Sequence, residues 1–277
     1  MSSWHLQVRL WGVRGSLPTP CPQNLGFGGN TPCVEIRLPG GEVLILDAGT
    51  GIRQLGQALI RETARQPHVH IFITHFHWDH IHGLPFFAPL FDKTRLSFYS
   101  GARRNALEAA IAGQMKYPYF PLDFRTDVPN YDFLDIPSDG CNLYDGSVTV
   151  RAFPVHHPQG ASGFRVDSGG RSVVYVPDRE AAGNSNLHAF LKEHAKGADL
   201  LIHDAQYTPE EYGLHKGWGH STWAEAIEVA RDCGVKQLVL FHHDPDHDDQ
   251  RLTEIEQVAK GQFECLAMAR EGWVTTL

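Results

Sequence analysis

Residues 71–83 read IFITHFHWDHIHG, an apolar run followed at once by a dense group of histidine and aspartate side chains. The run ends at Thr74 and contains β-branched residues, which predicts a buried strand. Four groups that can bind a metal follow within six positions: His75, His77, Asp79 and His80. Side chains two apart fall on one side of an extended chain, so the first three can converge, and His80 needs only a bend to join them.

Imidazole and carboxylate are good ligands for zinc and its neighbours in the first transition row. The alternative is a histidine-rich surface loop. The apolar strand that leads directly into the cluster favours the metal site.

The composition is that of a soluble globular protein, with 42% hydrophobic and 20% charged residues among 277. No apolar run approaches the roughly 20 residues of a membrane helix, and residues 1–6 lack the pattern of a secretory signal. The net charge of −8 argues against a protein wrapped by nucleic acid through bulk charge, but it leaves a local basic groove open. Five scattered cysteines fit a reducing compartment, so a cytoplasmic location is expected.

Predicted strands carry acid or imidazole groups at their ends. Besides residues 71–74, strands are predicted over 6–11, 33–38, 43–47, 96–99, 148–155, 164–166, 172–176, 199–204 and 239–241, with one more near residue 277. Helices are predicted from residue 52, over 105–112 and 186–196, after residue 221 and around residue 255. The groups at strand ends are Asp47, the cluster over 75–80, His157, Asp178 and His242. Strand ends at one edge of a sheet form a common rim, so we expect these groups to meet.

Asp47 precedes a Gly turn and a predicted helix. It would either cap that helix or orient a ligand.

The motif over residues 74–80, THFHWDH, resembles the H-x-H-x-D-H motif of the metallo-β-lactamase superfamily, and the other groups follow in the expected order. The resemblance spans nearly the whole chain. It implies an α+β fold, an αββα sandwich of two mixed β-sheets flanked by helices, formed by residues 1–277 as a single domain.

The resemblance also implies two divalent metal ions, with zinc expected and manganese or iron as alternatives. The seven implied ligands are His75, His77 and His157 for the first ion, Asp79, His80 and His242 for the second, and Asp178 as the bridge. His156 and His243 adjoin two of these ligands and could replace them. We prefer His157 because Pro158 follows it directly, and His242 because it is the first residue after its strand.

The last third of the chain is similar to the phosphodiesterase branch that contains ribonuclease Z. The matching segments are LLIHDA at 200–205, GHST at 219–222 and QLVLFH at 237–242. In that branch an acid and a histidine act as a pair, here Asp204 and His220, and the catalytic set is completed by Asp79. Hydroxide formed between the two metals would be the nucleophile, and His220 the general acid. The alternative is that His220 only hydrogen-bonds at a helix cap.

Two departures from ribonuclease Z shape the substrate prediction. Between His157 and Asp178 the chain has room only for a hairpin instead of a long tRNA-clamping arm, and no basic residue follows His242 closely. With the acidic balance, these predict a small phosphodiester such as a cyclic nucleotide, without bulk nucleic-acid binding or membrane contact. Arg14, Lys116 and Tyr117 are candidate substrate contacts. Related members suggest a homodimer.

Two other functions remain open. A thioester or lactone hydrolase could use the same metals, whereas a diiron redox or oxygen-binding protein would have no hydrolase activity. A β-lactamase is disfavoured because no cysteine lies near the ligand positions.

Overall fold

A computed structural model describes residues 6–62, 68–181 and 185–277 of the chain. Most of the N-terminal segment used to predict the lack of a secretory signal, residues 1–5, lies outside the described residues. Within the described residues, no helix is long and apolar enough to cross a membrane.

In the described part of the chain, the strands form two sheets of seven. Their bounds are β1 Gln7–Gly12, β2 Cys33–Arg37, β3 Val43–Leu46, β4 His68–Ile73, β5 Arg95–Ser100, β6 Tyr131–Asp135, β7 Cys141–Leu143, β8 Val148–Val155, β9 Ala161–Ser168, β10 Arg171–Val176, β11 Leu200–Asp204, β12 Gln237–Phe241, β13 Leu266–Met268 and β14 Val274–Thr276. The first sheet has the order β14-β1-β2-β3-β4-β5-β6, and the second β13-β12-β11-β10-β9-β8-β7.

Helices cover the outer faces of the two sheets. Their bounds are α1 Ile52–Arg61, α2 Trp78–Ile81, α3 Arg104–Gln114, α4 Phe124–Asp127, α5 Ser185–Ala195, α6 Pro209–His215, α7 Trp223–Asp232 and α8 Asp249–Lys260. The long helices α1 and α3 lie on the first sheet, and α5, α7 and α8 on the second.

Three apolar cores separate these layers. The strand β3 shows why: Val43 and Ile45 pack toward α1, whereas Leu44 and Leu46 pack into the core between the sheets. All four are buried because a strand covered on both faces needs apolar residues at every position. The predicted αββα sandwich of two mixed sheets is confirmed.

Both sheets place the ends of their parallel strands at one edge. The strands β3 to β6 run parallel in the first sheet, and β10 to β13 in the second. Strand β8 runs antiparallel to β9, and β9 antiparallel to β10, so β8 ends at the same edge as β10. The segments that follow these strands are therefore available to form one site.

Candidate metal centre and catalytic residues

The metal-ligand segment starts where β4 ends and is fixed by Asp47, the residue after β3. The carboxylate of Asp47 accepts hydrogen bonds from the backbone N and the hydroxyl of Thr74, with Oδ1 at 2.8 and 3.0 Å. It also accepts from the hydroxyl of Tyr175 across the sheet interface, at 3.0 Å. Asp47 therefore orients the site, and Gly51 rather than Asp47 occupies the cap position of α1.

The chain bends earlier than the alternation of side chains predicts. His77 is the last extended residue, and α2 begins at Trp78, so Asp79 and His80 lie in the first helical turn. The sequence interpretation placed Asp79 beside His75 and His77 on an extended chain. The helical turn instead places Asp79 and His80 together, in a set of ligand atoms separate from that of His75 and His77.

The helix α2 lies so close to the turn after β3 that two glycines are required there. A Cβ at Gly49 would lie 2.2 Å from the carbonyl oxygen of Asp79, and a Cβ at Gly83 would lie 2.0 Å from the carbonyl oxygen of Gly49. Any larger residue would push the ligand-bearing turn away from the sheet.

The structure brings all seven predicted ligands into two adjacent groups. One group is His75, His77, His157 and Asp178, and the other is Asp79, His80 and His242, with the ligand atoms of each group within 4.8 Å of one another. His77 is partly exposed and the other six are buried. Two sheets contribute, because the segments after β4, β8, β10 and β12 each carry at least one member.

Asp178 lies between the two groups, with one carboxylate oxygen facing each. Its Oδ1 is 3.0 Å from Nε2 of His80 and 3.2 Å from Nε2 of His242. Its Oδ2 is 3.6 Å from Nε2 of His75 and 3.7 Å from Nε2 of His157. This position matches the bridging role that the family resemblance implies.

The unpaired atoms of the cluster fit divalent metal ions. Nε2 of His75, Nε2 of His80 and Oδ1 of Asp178 are buried without a hydrogen bond of acceptable geometry, despite the 3.0 Å between the last two, although buried polar atoms normally have one. The separations around Asp178 span 3.0–3.7 Å. Two ligand atoms about 2.0 Å from one tetrahedral zinc ion would lie about 3.3 Å apart, so this spacing suits metal ligands.

Four of the imidazoles are held through their Nδ1 atoms. The acceptors are Asp47 for His80 at 2.8 Å, Gly219 O for His157 at 2.9 Å, Gln206 Oε1 for His242 at 2.9 Å and Thr74 Oγ1 for His75 at 3.1 Å. Carboxylate and carbonyl oxygens only accept, so Nδ1 of His80, His157 and His242 carries a proton. Thr74 Oγ1 accepts from Nδ1 of His75 because its own proton goes to Asp47. In its neutral form each ring presents the lone pair of Nε2 to the cluster, which is the arrangement that metal-binding histidines require.

The carboxylates of the cluster are held in their ionised form. Burial acts to raise the pKa of Asp79, but His80 and His242 outweigh it and lower that pKa well below its usual range. Asp178 behaves in the same way, because His242 and His80 outweigh burial and lower its pKa. Burial lowers the pKa of His75, which keeps that imidazole neutral and able to bind a metal.

The two adjacent histidine pairs divide as the sequence analysis prefers. His157 and His242 lie in the ligand groups. His243 is buried on another side, where its Nε2 donates to the carbonyl of Ala269 at 2.7 Å. His156 belongs to neither group. His242 reaches the cluster with a φ of +63°, an uncommon conformation for a residue other than glycine.

Asp204 and His220 form a buried pair beside the cluster. Nδ1 of His220 donates to Oδ2 of Asp204 at 3.0 Å and lies 3.9 Å from Oδ2 of Asp178. The His220 ring stacks on His242, with centroids 4.9 Å apart. Burial opposes a charge on His220, but Asp204 outweighs it and raises the pKa of His220 to about 9. The imidazole is therefore able to carry a proton near neutral pH.

The sequence analysis missed Glu180, which holds the loop that carries His220. Its Oε1 accepts from the hydroxyl of Tyr212 and the backbone N of Gly217, both at 2.7 Å, and its Oε2 from the backbone N of Gly219 at 3.1 Å. An acidic residue just past a strand end, with a glycine-rich segment further along the chain, was the signal available. Gln206, the partner of His242, was missed as well.

The predicted substrate contact Arg14 has a structural role instead. Its side chain is 0% exposed, and its guanidinium donates to the carbonyl oxygens of Gly28, Asp244 and His247. A guanidinium buried in this way holds the N-terminal loop against the segment after β12 and cannot reach a substrate phosphate, so the prediction is wrong in this structure.

The other two predicted contacts, Lys116 and Tyr117, lie on the exposed loop after α3, where Tyr117 is 91% exposed. Neither belongs to the ligand groups, and their role stays a prediction.

Comparison with known proteins identifies the family. Residues 43–243, most of the chain, match the family described as the beta-lactamase superfamily domain. The chain belongs to this superfamily. A ribonuclease Z of Archaeoglobus fulgidus is 27% identical over 299 residues, covering 89% of this chain and 94% of that protein.

Solved structures share the fold of this superfamily member. The metallo-beta-lactamase fold protein YhfI of Bacillus subtilis has a TM-score of 0.71 at 19% identity and covers 99% of this chain and 100% of its own. Human tRNase Z, short form, has a TM-score of 0.67 at 23% identity and covers 97% and 98%. The predicted family and the prediction of a metallo-β-lactamase-fold hydrolase related to ribonuclease Z and phosphodiesterases are confirmed.

One prediction about the substrate is wrong. The sequence analysis expected a small phosphodiester and no bulk nucleic-acid binding, from the acidic net charge and the short segment between His157 and Asp178. That segment is indeed the hairpin of β9 and β10. The ribonuclease Z of Archaeoglobus fulgidus, which matches most of this chain, is however named for a nuclease of RNA. Net charge over the whole surface does not decide which substrate a local groove binds.

Proposed function

We propose that the protein is a metal-dependent phosphodiesterase and that RNA is among its substrates. The observation that carries the proposal is the Asp204–His220 pair, 3.0 Å apart and in contact with the two ligand groups. A hydrolase that breaks a phosphodiester with a poor leaving group needs a proton donor next to its metals. The names of relatives that cover most of the chain support RNA. All five cysteines are free, which is compatible with the proposed cytoplasmic location.

We expect the residues of the site to have the following roles. His75, His77, His157 and Asp178 would hold one ion, and Asp79, His80 and His242 the other, with Asp178 shared. When bound, two divalent ions make water a nucleophile near neutral pH and offset the charge of the phosphoryl oxygens. The hydrogen bond to Asp204 fixes the proton on Nδ1 of His220, and the second proton on Nε2 would pass to the leaving oxygen.

The first test is hydrolysis of bis(p-nitrophenyl) phosphate by protein loaded with zinc, manganese or iron in turn. A 3′-extended tRNA precursor and a cyclic nucleotide then follow as competing substrates. Turnover of the RNA supports the full proposal. Turnover of thioesters or lactones, with no turnover of phosphodiesters, would select the thioester or lactone hydrolase. An iron-specific spectrum that responds to oxygen, with no hydrolysis of any substrate, would select the diiron redox or oxygen-binding protein.

The role of His220 has its own prediction. His220→Ala should lower kcat on a phosphodiester with an alcohol leaving group by about 10²–10⁴-fold while the bound metal is retained. Metal content by elemental analysis decides the interpretation, because His220 also lies within 4.8 Å of ligand atoms of Asp178 and His242. Loss of metal in the variant would make His220 a ligand and refute its role as the acid.

A further inference from the structure

A cavity of about 350 Å³ opens beside the first ligand group, and the proposed function does not use it. His75 and His77 form its inner wall. Its other walls come from the segments after β4 and β5 and from the hairpin of β8 and β9, including Phe76, Ala102, Pro154, Gln159 and Ser162. Cavities of about 300 Å³ or more are large enough for a compact organic ligand.

The lining of the cavity selects against charge. Among the described residues, no lysine, arginine, aspartate or glutamate lines it. Phe76 and Pro154 offer apolar surface, whereas the hydroxyl of Ser162 and the amide of Gln159 can donate and accept hydrogen bonds. A phosphate would find no cationic side chain here. A neutral ring system with a polar edge, as in a nucleoside, matches both kinds of wall.

A contact between the two sheets and a contact within the turn after His157 hold this wall in place. The backbone N of Ser162 donates to the carbonyl of Thr74 at 3.1 Å, and that of Gly160 to the carbonyl of His157 at 2.9 Å. A Cβ at Gly101 would lie 2.0 Å from Oγ of Ser162, so glycine permits the close approach. The cavity wall and the ligand groups are therefore held in place by the same backbone contacts.

The cavity and the general acid lie beside different parts of the cluster. His220 contacts Asp178 and His242 and is not part of the cavity wall, which is formed by His75 and His77. In an in-line displacement the leaving group departs next to the acid. A group held in the cavity would then be the one that stays attached to phosphorus.

We infer that this cavity is a subsite for the nucleoside on the non-leaving side of the scissile phosphodiester. The inference rests on the proposed function and adds the chemical class and the side of the bond that the enzyme recognises. Substrates with the same leaving group should then be distinguished by the group that occupies the cavity.

Two esters with a common leaving group test this: thymidine 5′-(p-nitrophenyl) phosphate and methyl p-nitrophenyl phosphate. For the wild type with bound metal, kcat/KM should be at least about tenfold higher for the thymidine ester. Ala102→Leu, at an exposed position of the cavity wall, should raise KM for the thymidine ester about tenfold and affect the methyl ester, which does not fill the cavity, much less. Ala109→Leu, exposed on α3 away from the cavity, is the matched control.

The outcomes separate the inference from the proposed function. If neither ester is hydrolysed with any metal, the phosphodiesterase proposal fails. If both are hydrolysed with equal kcat/KM by the wild type, the subsite is refuted while the function stands. The wild-type comparison needs no variant, so it remains decisive even where Ala102→Leu folds poorly. An equal rise of KM in Ala102→Leu and Ala109→Leu would also count against the subsite.

Discussion

Glu180 shows how a residue outside the ligand set can control the proposed acid. It lies two positions after Asp178 and accepts two backbone hydrogen bonds, from Gly217 and Gly219. Gly219 also offers its carbonyl to Nδ1 of His157 at 2.9 Å, and the next residue is His220. One carboxylate therefore fixes the loop that positions both a predicted ligand and the predicted acid.

Glu180→Gln should impair proton donation more than metal binding. The amide NH₂ would face backbone N–H donors, so the loop and His220 shift. We expect kcat to fall about tenfold or more for an alkyl leaving group, and less than about threefold for p-nitrophenolate, which leaves without a proton. The measurement is kcat for both substrates, with metal content determined in parallel.

Tyr212→Phe serves as the milder control for this substitution, because it removes only one of the donors to Glu180. An equal loss on both leaving groups would contradict a positioning role for Glu180.

At the scale of elements, Glu256 ties α8 to the segment after β13. Its carboxylate lies 2.8 Å from Nη2 of Arg270 and 2.9 Å from Nζ of Lys260. Burial acts to raise the pKa of Glu256, but the two cations outweigh it and lower that pKa to about 2. A carboxyl group whose pKa is lower in the folded protein than in the unfolded chain stabilises the fold at pH values above the unfolded-state pKa. This stabilisation is lost as the pH falls toward 2.

Glu256→Gln should therefore destabilise the protein at pH 7 by about 1–2 kcal/mol, a figure reduced for solvent screening of the two partly exposed cations. The difference from the wild type should shrink as the pH falls from about 5 toward 2. Urea unfolding across this range measures it. A difference that stays constant with pH would show that the effect of the substitution is not electrostatic. Glu254→Gln, on the same helix, is the control.

The sequence predicts elements well where apolar residues repeat regularly and poorly where pairing depends on the rest of the fold. The helix predicted after residue 221 forms as α7, and its capping box of Thr222 and Glu225 lies within a local motif. Strands β6 and β7 were missed because they are short and partly exposed and become strands only by pairing with β5 and β8. The bend before Asp79 was also missed, since it depends on the contact of α2 with the turn after β3.

In the candidate site, too, local features could be predicted from the sequence and long-range contacts could not. The ligand types and their order are present in local motifs, so the seven ligands could be proposed from sequence. The environment of Arg14 is set by carbonyls from residues up to 233 positions away, and the partners of Glu180 lie 32 to 39 positions away. No local pattern reports such contacts.

For the whole molecule, the ligands come from both sheets, so metal binding should stabilise their packing. Removal of metal with a chelator should lower the free energy of unfolding by about 4 kcal/mol where the free metal exceeds its Kd 1,000-fold. One cooperative transition is expected with and without metal, because the core between the sheets is shared. Urea unfolding monitored by fluorescence and circular dichroism checks both points. Two separate transitions would contradict the single domain predicted for residues 1–277.

The last strand, β14, returns from the second sheet to the first and pairs with β1. During translation β1 is made before β14, so the outer edge of β1 stays open until β14 has been synthesised. An open strand edge is a template for pairing with other chains. Every nascent chain that lacks β14 therefore exposes an aggregation-prone edge that the folded protein covers, and ribosome stalling between β1 and β14 would leave the chain dependent on chaperones.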